Sequence, residues 1–243
     1  MRRTAYVGAA ALAVHTLPMV TCVAAVRRRF LPGLAGVGDP GRIALTFDDG
    51  PDPASTPAFL DALDDLGWKA TFFMLGPMVR RAPALAAEVA SAGHEIAVHG
   101  ERHSSHLWRS PRDLDTDLAR ASDTLTEATG QPLTWFRPPY GELTAGSLIA
   151  ARRQRLRPVL WTAWGRDWRT RATPDSVATD IARGLHPGAT VLLHDSDCMS
   201  SPGSWRATLA SLPALADLFA EHGLHPGRLA DHGLSAGLSC WLS

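Results

Sequence analysis

Two adjacent aspartates and two spaced histidines give this 243-residue sequence its clearest chance of holding a metal ion. His99 and His103 are four residues apart, so their side chains can face the same way, and Asp48 stands next to Asp49. Catalytic zinc takes three ligands from His and carboxylate and keeps an open position for water. One Asp would complete such a set, and the other could act as a base on the water. With a separate His as acid, this is equipment for metal-assisted amide hydrolysis.

Three further polar clusters accompany these residues: Arg137 to Gly141, Asp167-Trp168 and His194-Asp195. Each cluster has a structural explanation when it is taken alone. Asp-Asp-Gly-Pro is typical of a turn, an Arg before Pro-Pro is ordinarily structural, and His-Asp at a strand end can cap a helix. The hydrolytic interpretation therefore depends on the clusters occurring together.

The elements that must position these clusters alternate between strand and helix from Gly41 onward. Short β-prone runs are bounded by turn residues, and apolar positions spaced by three and four residues follow Pro or Thr-Pro starts. The predicted strands cover residues 43–47, 70–75, 95–98, 133–136, 158–162, 190–193 and 227–229. The predicted helices begin near residues 56, 83, 111, 144, 173 and 205, and the last is expected to bend at Pro213.

This alternation predicts an α/β fold with a parallel sheet and helices outside it. Residues 41–235 contain no linker or repeat, so a single domain is expected, and six or seven βα units favour a barrel over an open sheet. Each polar cluster falls just after the carboxyl end of a predicted strand, which is where barrel active sites are built.

The N-terminal residues 1–30 form a separate segment. Residues 5–26 are almost wholly apolar and have Arg on both sides, which is typical of a signal peptide or a membrane-associated helix. Export or membrane anchoring would place the protein outside the cytoplasm. The alternative is an apolar helix packed on the domain, which would be compatible with a cytoplasmic protein. Residues 236–243 are interpreted as a C-terminal tail.

Charge and cysteine content exclude two classes of protein. The 24 basic and 24 acidic residues cancel and are interspersed, so a nucleic-acid partner is not expected. Three Cys without a C-x-x-C pair exclude a thiolate zinc cluster. Cys198 and Cys240 could pair in an oxidising compartment, but their spacing does not settle this.

The order of the motifs resembles that of the polysaccharide deacetylases, carbohydrate esterase family 4, which are built on the NodB homology domain. Five motifs carry the resemblance over roughly residues 41–231: Thr46-Phe47-Asp48-Asp49-Gly50, His99-x-x-x-His103, Arg137-Pro138-Pro139-Tyr140-Gly141, Asp167-Trp168 and Leu192-x-His194. The resemblance implies a distorted (β/α)₇ barrel, which agrees with the alternation of elements. It also implies a polysaccharide or oligosaccharide substrate, and we expect a monomer.

The resemblance assigns a role to each matched position. Asp49, His99 and His103 match the ligands of one divalent ion, which is usually zinc, with cobalt or a similar ion as the alternative. Asp48 matches the catalytic base, and Arg137 resembles the residue that holds it. His194 matches the catalytic acid, and Asp167 resembles the carboxylate that orients it. The backbone N–H of Tyr140 matches the oxyanion donor, and Trp168 and Leu192 resemble the walls of the acetyl pocket.

The sequence departs from the family pattern at two places. Gly100 stands where Ser or Thr commonly follows the first metal His, so a hydroxyl that would steady the loop is missing. An Asp that usually precedes the Asp-Trp pair is also absent, and Trp164-Gly165 is found there. Asp52 and Asp195 adjoin motifs but are expected only to satisfy turns. Trp161 and Trp164 could form a sugar-stacking surface or pack in the core.

Four functions remain open at this level. The first is removal of N-acetyl groups from a GlcNAc-type polymer such as peptidoglycan or chitin. The second is deacylation of a small amide or of O-acetyl esters such as those of acetylxylan. A carbohydrate-binding domain that has lost catalysis is the third, and the complete set of site residues argues against it. A glycosidase is the fourth, but adjacent Asp48 and Asp49 cannot easily flank a glycosidic bond.

Overall fold

The computed structural model describes residues 12–234, and a parallel sheet forms its centre. Within these residues the sheet has eight strands in the order β5-β4-β3-β2-β1-β7-β6, and β8 pairs with the start of β1. The strands are β1 Arg42–Asp48, β2 Thr71–Leu75, β3 Glu95–Gly100, β4 Trp135–Phe136, β5 Arg157–Pro158, β6 Ala163–Trp164, β7 Thr190–His194 and β8 His225–Gly227. All of their pairings are parallel. The predicted α/β fold, a single domain with a parallel sheet in a distorted (β/α)₇ barrel, is confirmed.

Helices connect the strands and cover the sheet. We number them from the N-terminal segment: α1 Ala24–Phe30, α2 Pro32–Ala35, α3 Thr56–Asp65, α4 Gly76–Arg81, α5 Pro83–Ser91, α6 Pro111–Thr129, α7 Ala145–Arg153, α8 Pro174–Gly184 and α9 Trp205–Glu221. Ser110 caps α6 by accepting the N–H of Asp113, and Thr144 and Thr173 form capping boxes at α7 and α8. These caps satisfy backbone donors that a helix start leaves free.

Strand β1 is packed in the centre of the hydrophobic core. Strand β1 lies between β2 and β7, and its residues after Arg42 are buried. Phe47 stacks on Phe72 of β2 with ring centroids 5.2 Å apart and meets Phe59 of α3 edge-on at 5.3 Å. Such aromatic pairs add stability beyond the buried area. The carboxyl end of β1, which carries Asp48, is therefore held by packing on both neighbouring strands and a helix.

The structure corrects several element boundaries. The predicted strand over 158–162 is replaced by two short pieces, β5 and β6, at opposite ends of the sheet order. Residues 159–162 bridge them, and the N–H of Leu160 donates to the carbonyl of Leu34 at 2.8 Å instead of to a strand. The last strand is β8, residues 225–227, rather than 227–229. Helix α4 was not predicted; its Pro77 occupies the first turn, where the missing N–H costs nothing.

The N-terminal segment is not one helix in the part that is described. Residues Leu17–Cys22 form a 3₁₀ helix, and α1 follows after Val23. Arg27 is buried, and its guanidinium donates to the carbonyls of Thr21 and Trp161 at 2.6 and 2.8 Å. Over residues 12–234, none of the helices has the length and apolarity needed to cross a membrane. Residues 1–11 and the predicted tail, 236–243, lie outside the described residues, as does Cys240, so its pairing with Cys198 stays a prediction.

Candidate functional site

A cavity of about 210 Å³ opens at the carboxyl ends of the strands. Eight of the ten site residues named from the sequence line it: Asp48, Asp49, His99, His103, Tyr140, Trp168, Leu192 and His194. The other two, Arg137 and Asp167, lie behind the wall with almost no exposed surface. The fold thus brings together residues that are up to 146 positions apart in the chain, from Asp48 to His194.

Asp49, His99 and His103 form a cluster suited to a metal ion. One ligand atom from each lies within 4.8 Å of the other two. The Nε2 atoms of His99 and His103 stand 3.4 and 3.5 Å from Oδ1 of Asp49. That oxygen is buried and has no hydrogen-bond partner among the described residues. Because a buried carboxylate oxygen without a partner is costly, its setting fits a site completed by a cation.

The surroundings of Asp49 and His103 favour the protonation states in which these residues bind a metal ion. Burial opposes ionisation of Asp49, but the nearby His99 imidazole and the charge of His194 lower the pKa of the carboxyl below its usual value. Burial and the charge of His99 lower the pKa of His103 to about 4, so this imidazole is neutral at pH 7. A neutral imidazole and a carboxylate are the forms that bind metals. His99 differs: burial works against its positive charge, but Asp48 and Asp49 raise its pKa.

His99 is oriented from behind by the backbone. Its Nδ1 donates to the carbonyl of Arg137 at 2.8 Å, so Nε2 is turned towards Asp49. A backbone carbonyl in this position fixes the tautomer and orientation of a metal-binding His.

The loop between the two His is held by a helix. Gly100 has φ +115°, and a Cβ placed there would come within 3.2 Å of Oδ2 of Asp117 on α6. That oxygen accepts the N–H of Glu101 at 2.7 Å, while Oδ1 of Asp117 accepts from Arg109 at 2.6 Å. The hydroxyl missing at position 100 is therefore replaced by a buried carboxylate that anchors the loop.

Asp49 has a strained backbone conformation, and the residue that follows it, Gly50, has no room for a side chain. The φ of Asp49 is +80°, which is uncommon for a residue other than Gly. A Cβ on Gly50 would come within 2.3 Å of the Asp195 carboxylate. Asp195 is fully buried and accepts from Thr56 at 2.5 Å, while its backbone carbonyl accepts from Ser55 at 2.6 Å. Asp195 does more than satisfy a turn, because it joins the end of β7 to the start of α3.

Asp48 is bound to a buried guanidinium. Nη1 of Arg137 donates to Oδ1 of Asp48 at 2.7 Å and to the hydroxyl of Thr46 at 2.8 Å. Nη2 donates to the carbonyl of Leu160 at 3.1 Å, and the guanidinium lies 4.0 Å from the centroid of the Phe73 ring. With one oxygen held by Arg137, the second oxygen of Asp48 is left on the side of His99, 3.8 Å from its Nε2.

His194 is paired with Asp167 on the opposite side of the cavity. Nδ1 of His194 lies 2.8 Å from Oδ1 of Asp167, and its backbone N–H donates to Oδ2 at 2.8 Å. The hydroxyl of Thr208 on α9 donates to the same Oδ2 at 2.8 Å. Burial disfavours a charged imidazole, but the charge and hydrogen bond of Asp167 prevail and raise the pKa of His194 to about 10. His194 is therefore an imidazolium at pH 7, with Nε2 free of Asp167.

Aromatic and apolar side chains form the remaining walls. Tyr140 has φ +59°, is largely exposed, and its ring meets His103 edge-on with centroids 4.6 Å apart. Trp168 stacks on Trp164 with centroids 4.5 Å apart, and Trp164 contacts Trp161 at 5.4 Å. All three indoles line the cavity, and Trp161 also packs against the core, so its expected core packing is confirmed and the sugar-stacking surface stays a prediction.

Sequence reasoning missed the residues that support the site from behind: Thr46, Asp117 and Thr208, in addition to the role of Asp195. One signal could have identified Asp117. It lies between Leu114, Leu118 and Ala121 on the face of α6 that the apolar spacing predicts to be buried, and a carboxylate there requires partners. The hydroxyls of Thr46 and Thr208 carry no comparable signal, because Thr is common in strands and helices.

Comparison with known proteins agrees with this geometry. Residues 35–159 match the model of a family described as polysaccharide deacetylase. A chitooligosaccharide deacetylase from Bradyrhizobium sp. is 33% identical over 202 residues, which cover 79% of this chain and 90% of that protein. A peptidoglycan-N-acetylglucosamine deacetylase from Bacillus cereus is 37% identical over 155 residues, covering 63% of this chain and 72% of that protein.

Solved structures show the same architecture. A family 4 carbohydrate esterase from Streptomyces lividans, solved in complex with acetate, has a TM-score of 0.68 and 31% identity, covering 76% of this chain and 90% of that one. These matches confirm the family resemblance that the five motifs indicated.

Proposed function

Because this chain belongs to the polysaccharide deacetylase family, whose members are hydrolases that remove N-acetyl groups, we propose that it deacetylates a GlcNAc-containing glycan with a divalent metal ion. One observation carries the proposal. A metal-type cluster, a carboxylate held by Arg and an imidazolium held by Asp all face one cavity of about 210 Å³. The named relatives act on chitooligosaccharide and peptidoglycan, so we favour a glycan of that class.

Asp49, His99 and His103 would hold the metal, and their donor set suits zinc. When bound, a divalent ion supplies Lewis acidity, which lowers the pKa of water and stabilises negative charge on an amide oxygen. The buried, unpartnered Oδ1 of Asp49 is the atom that most clearly fits this role.

Asp48 acts as the base in this mechanism. Its Oδ1 is fixed by Arg137, so only Oδ2 faces the cavity and can take a proton from the attacking water. Arg137 also prevents the Asp48 carboxyl group from rotating, and a positioned base of this kind contributes roughly 100- to 10,000-fold in rate. The wall of Thr46, Leu160 and Phe73 around Arg137 makes this orientation rigid.

His194 acts as the acid. Nδ1 is occupied by Asp167, so Nε2 is the ring atom available to protonate the leaving amine. A positively charged imidazole is required for this step, and Asp167 maintains that charge at neutral pH.

Tyr140, Trp168 and Leu192 complete the proposed substrate contacts. The backbone N–H of Tyr140 would donate to the developing oxyanion, an interaction worth on the order of 3 kcal/mol. Leu192 and the Trp168 indole would contact the acetyl methyl, since both are apolar surfaces in the cavity wall.

Acetate release tests the proposal. The purified protein is assayed on chitin oligomers, peptidoglycan, acetylxylan and small acetamides, in the apo form and after addition of zinc or cobalt. We expect acetate from GlcNAc-containing glycans only when metal is present. Release from acetylxylan or from small acetamides alone would replace the glycan amide by an ester or small amide as substrate. No release from any of the four, with metal bound, would refute the enzymatic proposal.

We also infer an extracytoplasmic location with the N-terminal segment at a membrane surface. Side chains of Leu12, Val14, Leu17 and Phe30 are each at least 60% exposed, and Arg28 and Arg29 directly precede Phe30. Exposed apolar residues next to cations suit the interface of an anionic bilayer. Separation of membrane and soluble fractions of the producing cell tests this, and recovery of the full chain only in cytosol would contradict it.

A further inference from the structure

A second cavity, of about 330 Å³, lies directly beside the catalytic one. The catalytic cavity ends at Trp168 and Ser200, and the second begins at the next residues, Arg169 and Ser201. The N–H of Ser201 donates to the carbonyl of Trp168 at 3.1 Å, so a single backbone crossing separates the two cavities. A polymer bound in the first would continue past this crossing.

The second cavity is basic. Arg169 and Arg206 line it, and its lining contains hydroxyl groups but no carboxylate. Arg169 is paired through Nη2 with Asp180 at 2.6 Å, and Arg183 shares the same carboxylate. The cavity therefore keeps a positive charge from this group even after the pairing.

Arg206 is the freer of the two cations. Among residues 12–234, no carboxylate lies within 4.0 Å of its guanidinium, which rests 4.4 Å from the centroid of the Trp205 ring. Arg206 belongs to the first turn of α9, and Ser204 at its N-cap makes no side-chain capping bond. The N–H groups of Arg206 and Ala207 already donate to the carbonyls of Gly203 and Ser204, so the attraction for an anion at this end of the cavity comes from the Arg206 charge.

The carboxylates near the second cavity do not point into it, since none belongs to its lining. Asp197 accepts the N–H of Gly203, and Asp180 is held between Arg169 and Arg183. Asp175 lies in the first turn of α8 but outside the lining. The cavity thus presents cations and hydroxyl groups, a combination that recognises carboxylates.

We propose that this second cavity binds a carboxylate carried by a sugar that neighbours the one being deacetylated. This rests on the proposed function and narrows it to an acidic glycan. Peptidoglycan carries such carboxylates on its lactyl ethers and peptides, whereas a chitin oligomer is neutral. The site would thus favour peptidoglycan-type strands over chitin-type strands of equal length.

The test compares matched substrates on the zinc-loaded enzyme. Peptidoglycan glycan fragments are used with free carboxylates and with the same carboxylates converted to neutral amides, and the ratio of kcat/KM for the two is measured. We expect the wild type to prefer the acidic fragments, mainly through KM. Arg206→Gln should reduce this ratio about tenfold, as expected for loss of one charge-assisted hydrogen bond.

Arg152→Gln on α7 is the control, because it removes one exposed positive charge from a helix that contacts β5, at the opposite end of the strand order from β6. It should leave the ratio unchanged. Calorimetry of the acidic and neutral fragments gives a second readout that does not need turnover. A wild type that binds and cleaves both forms equally well, or a ratio that Arg206→Gln does not lower, would overturn the acidic subsite while leaving the deacetylase function intact. Absence of acetate from every glycan would instead refute the proposed function.

Discussion

The two sides of the catalytic cavity are completed in different ways. On the acid side, formed by His194, Asp167 and Thr208, both oxygens of the carboxylate have protein donors at 2.8 Å. On the metal side, formed by Asp49, His99 and His103, Oδ1 of Asp49 is buried without a partner among the described residues. The chain alone satisfies the first side, whereas the second awaits a cation.

This difference predicts how the two sides should respond to substitutions. A fully hydrogen-bonded network is rigid and holds its charge without help, because its members are already paired. A cluster with an orphaned carboxylate oxygen gains most of its order from the ion it binds. Perturbing the metal side should therefore abolish function outright, and perturbing the acid side should change how activity depends on pH.

The largest effect is expected from removing a metal ligand. His103→Ala should lose the ion and at least about 1,000-fold of activity, because Lewis acidity supplies several kcal/mol to the transition state. The fold should persist, since His103 lies at the end of the strands and not in the core. Equilibrium dialysis against zinc measures the loss, and His222→Ala, an exposed His on the surface, should bind metal as the wild type does. One ion bound by His103→Ala with unchanged affinity would contradict the triad.

The next effect separates the adjacent aspartates. Asp48→Asn should keep the metal and lose roughly 100- to 10,000-fold in kcat, because it removes only the base. Asp49→Asn should weaken metal binding as well, since its Oδ1 lies between the two imidazoles. Metal content and kcat are measured on both variants. Equal loss of metal in the two would show that both carboxylates are ligands or that their roles are reversed.

A smaller effect is expected on the acid side. The acid works only when protonated, so activity falls as the pH rises through the pKa of His194, which Asp167 raises to about 10. Asp167→Asn removes that charge and leaves burial, which lowers the pKa, so the alkaline limb of the pH–rate profile should move to lower pH. The acidic limb should stay nearly fixed, because Asp48 contacts Arg137 and not Asp167.

Thr208→Val is the matched control for that profile. It removes one hydrogen bond to Oδ2 of Asp167 but leaves the charge in place, so its alkaline limb should move much less. Unshifted limbs in Asp167→Asn would remove Asp167 from the acid side and leave it a structural role only.

The same comparison shows where the sequence was informative. The kind of site, with two His and an Asp for a metal and a further Asp and His for proton transfer, was predicted from residue types and spacing, and the resemblance to the family assigned the individual roles. The supports were harder to see: Thr208 lies 41 positions from Asp167, and only packing brings α9 to it. Similarly, β5 and β6 were merged into one strand because residues 157–164 read as one apolar run, although Leu160 bonds to Leu34 and thereby separates them.

The smallest effect concerns the carboxylate behind the metal loop. Asp117→Asn should weaken zinc binding by about 10- to 100-fold, the usual cost of disturbing a group that orients ligands. The reason is that Oδ2 of Asp117 accepts the N–H of Glu101, midway between His99 and His103, while Oδ1 is held by Arg109. An Asn can offer only one oxygen, so one of these bonds must be lost.

Asp113→Asn is the control for this variant, because Asp113 lies one turn earlier on α6 and binds the side chains of Arg109 and Arg102, but accepts no backbone N–H from the metal loop. We expect Asp117→Asn to regain nearly full kcat when zinc is in excess, whereas Asp113→Asn should need no additional zinc. This rescue distinguishes a loop that is badly positioned in the absence of metal from a fold that is merely less stable. If Asp117→Asn binds zinc as tightly as Asp113→Asn, the loop is held by His99 and the backbone alone, and the metal side is more preordered than its unpartnered oxygen indicates.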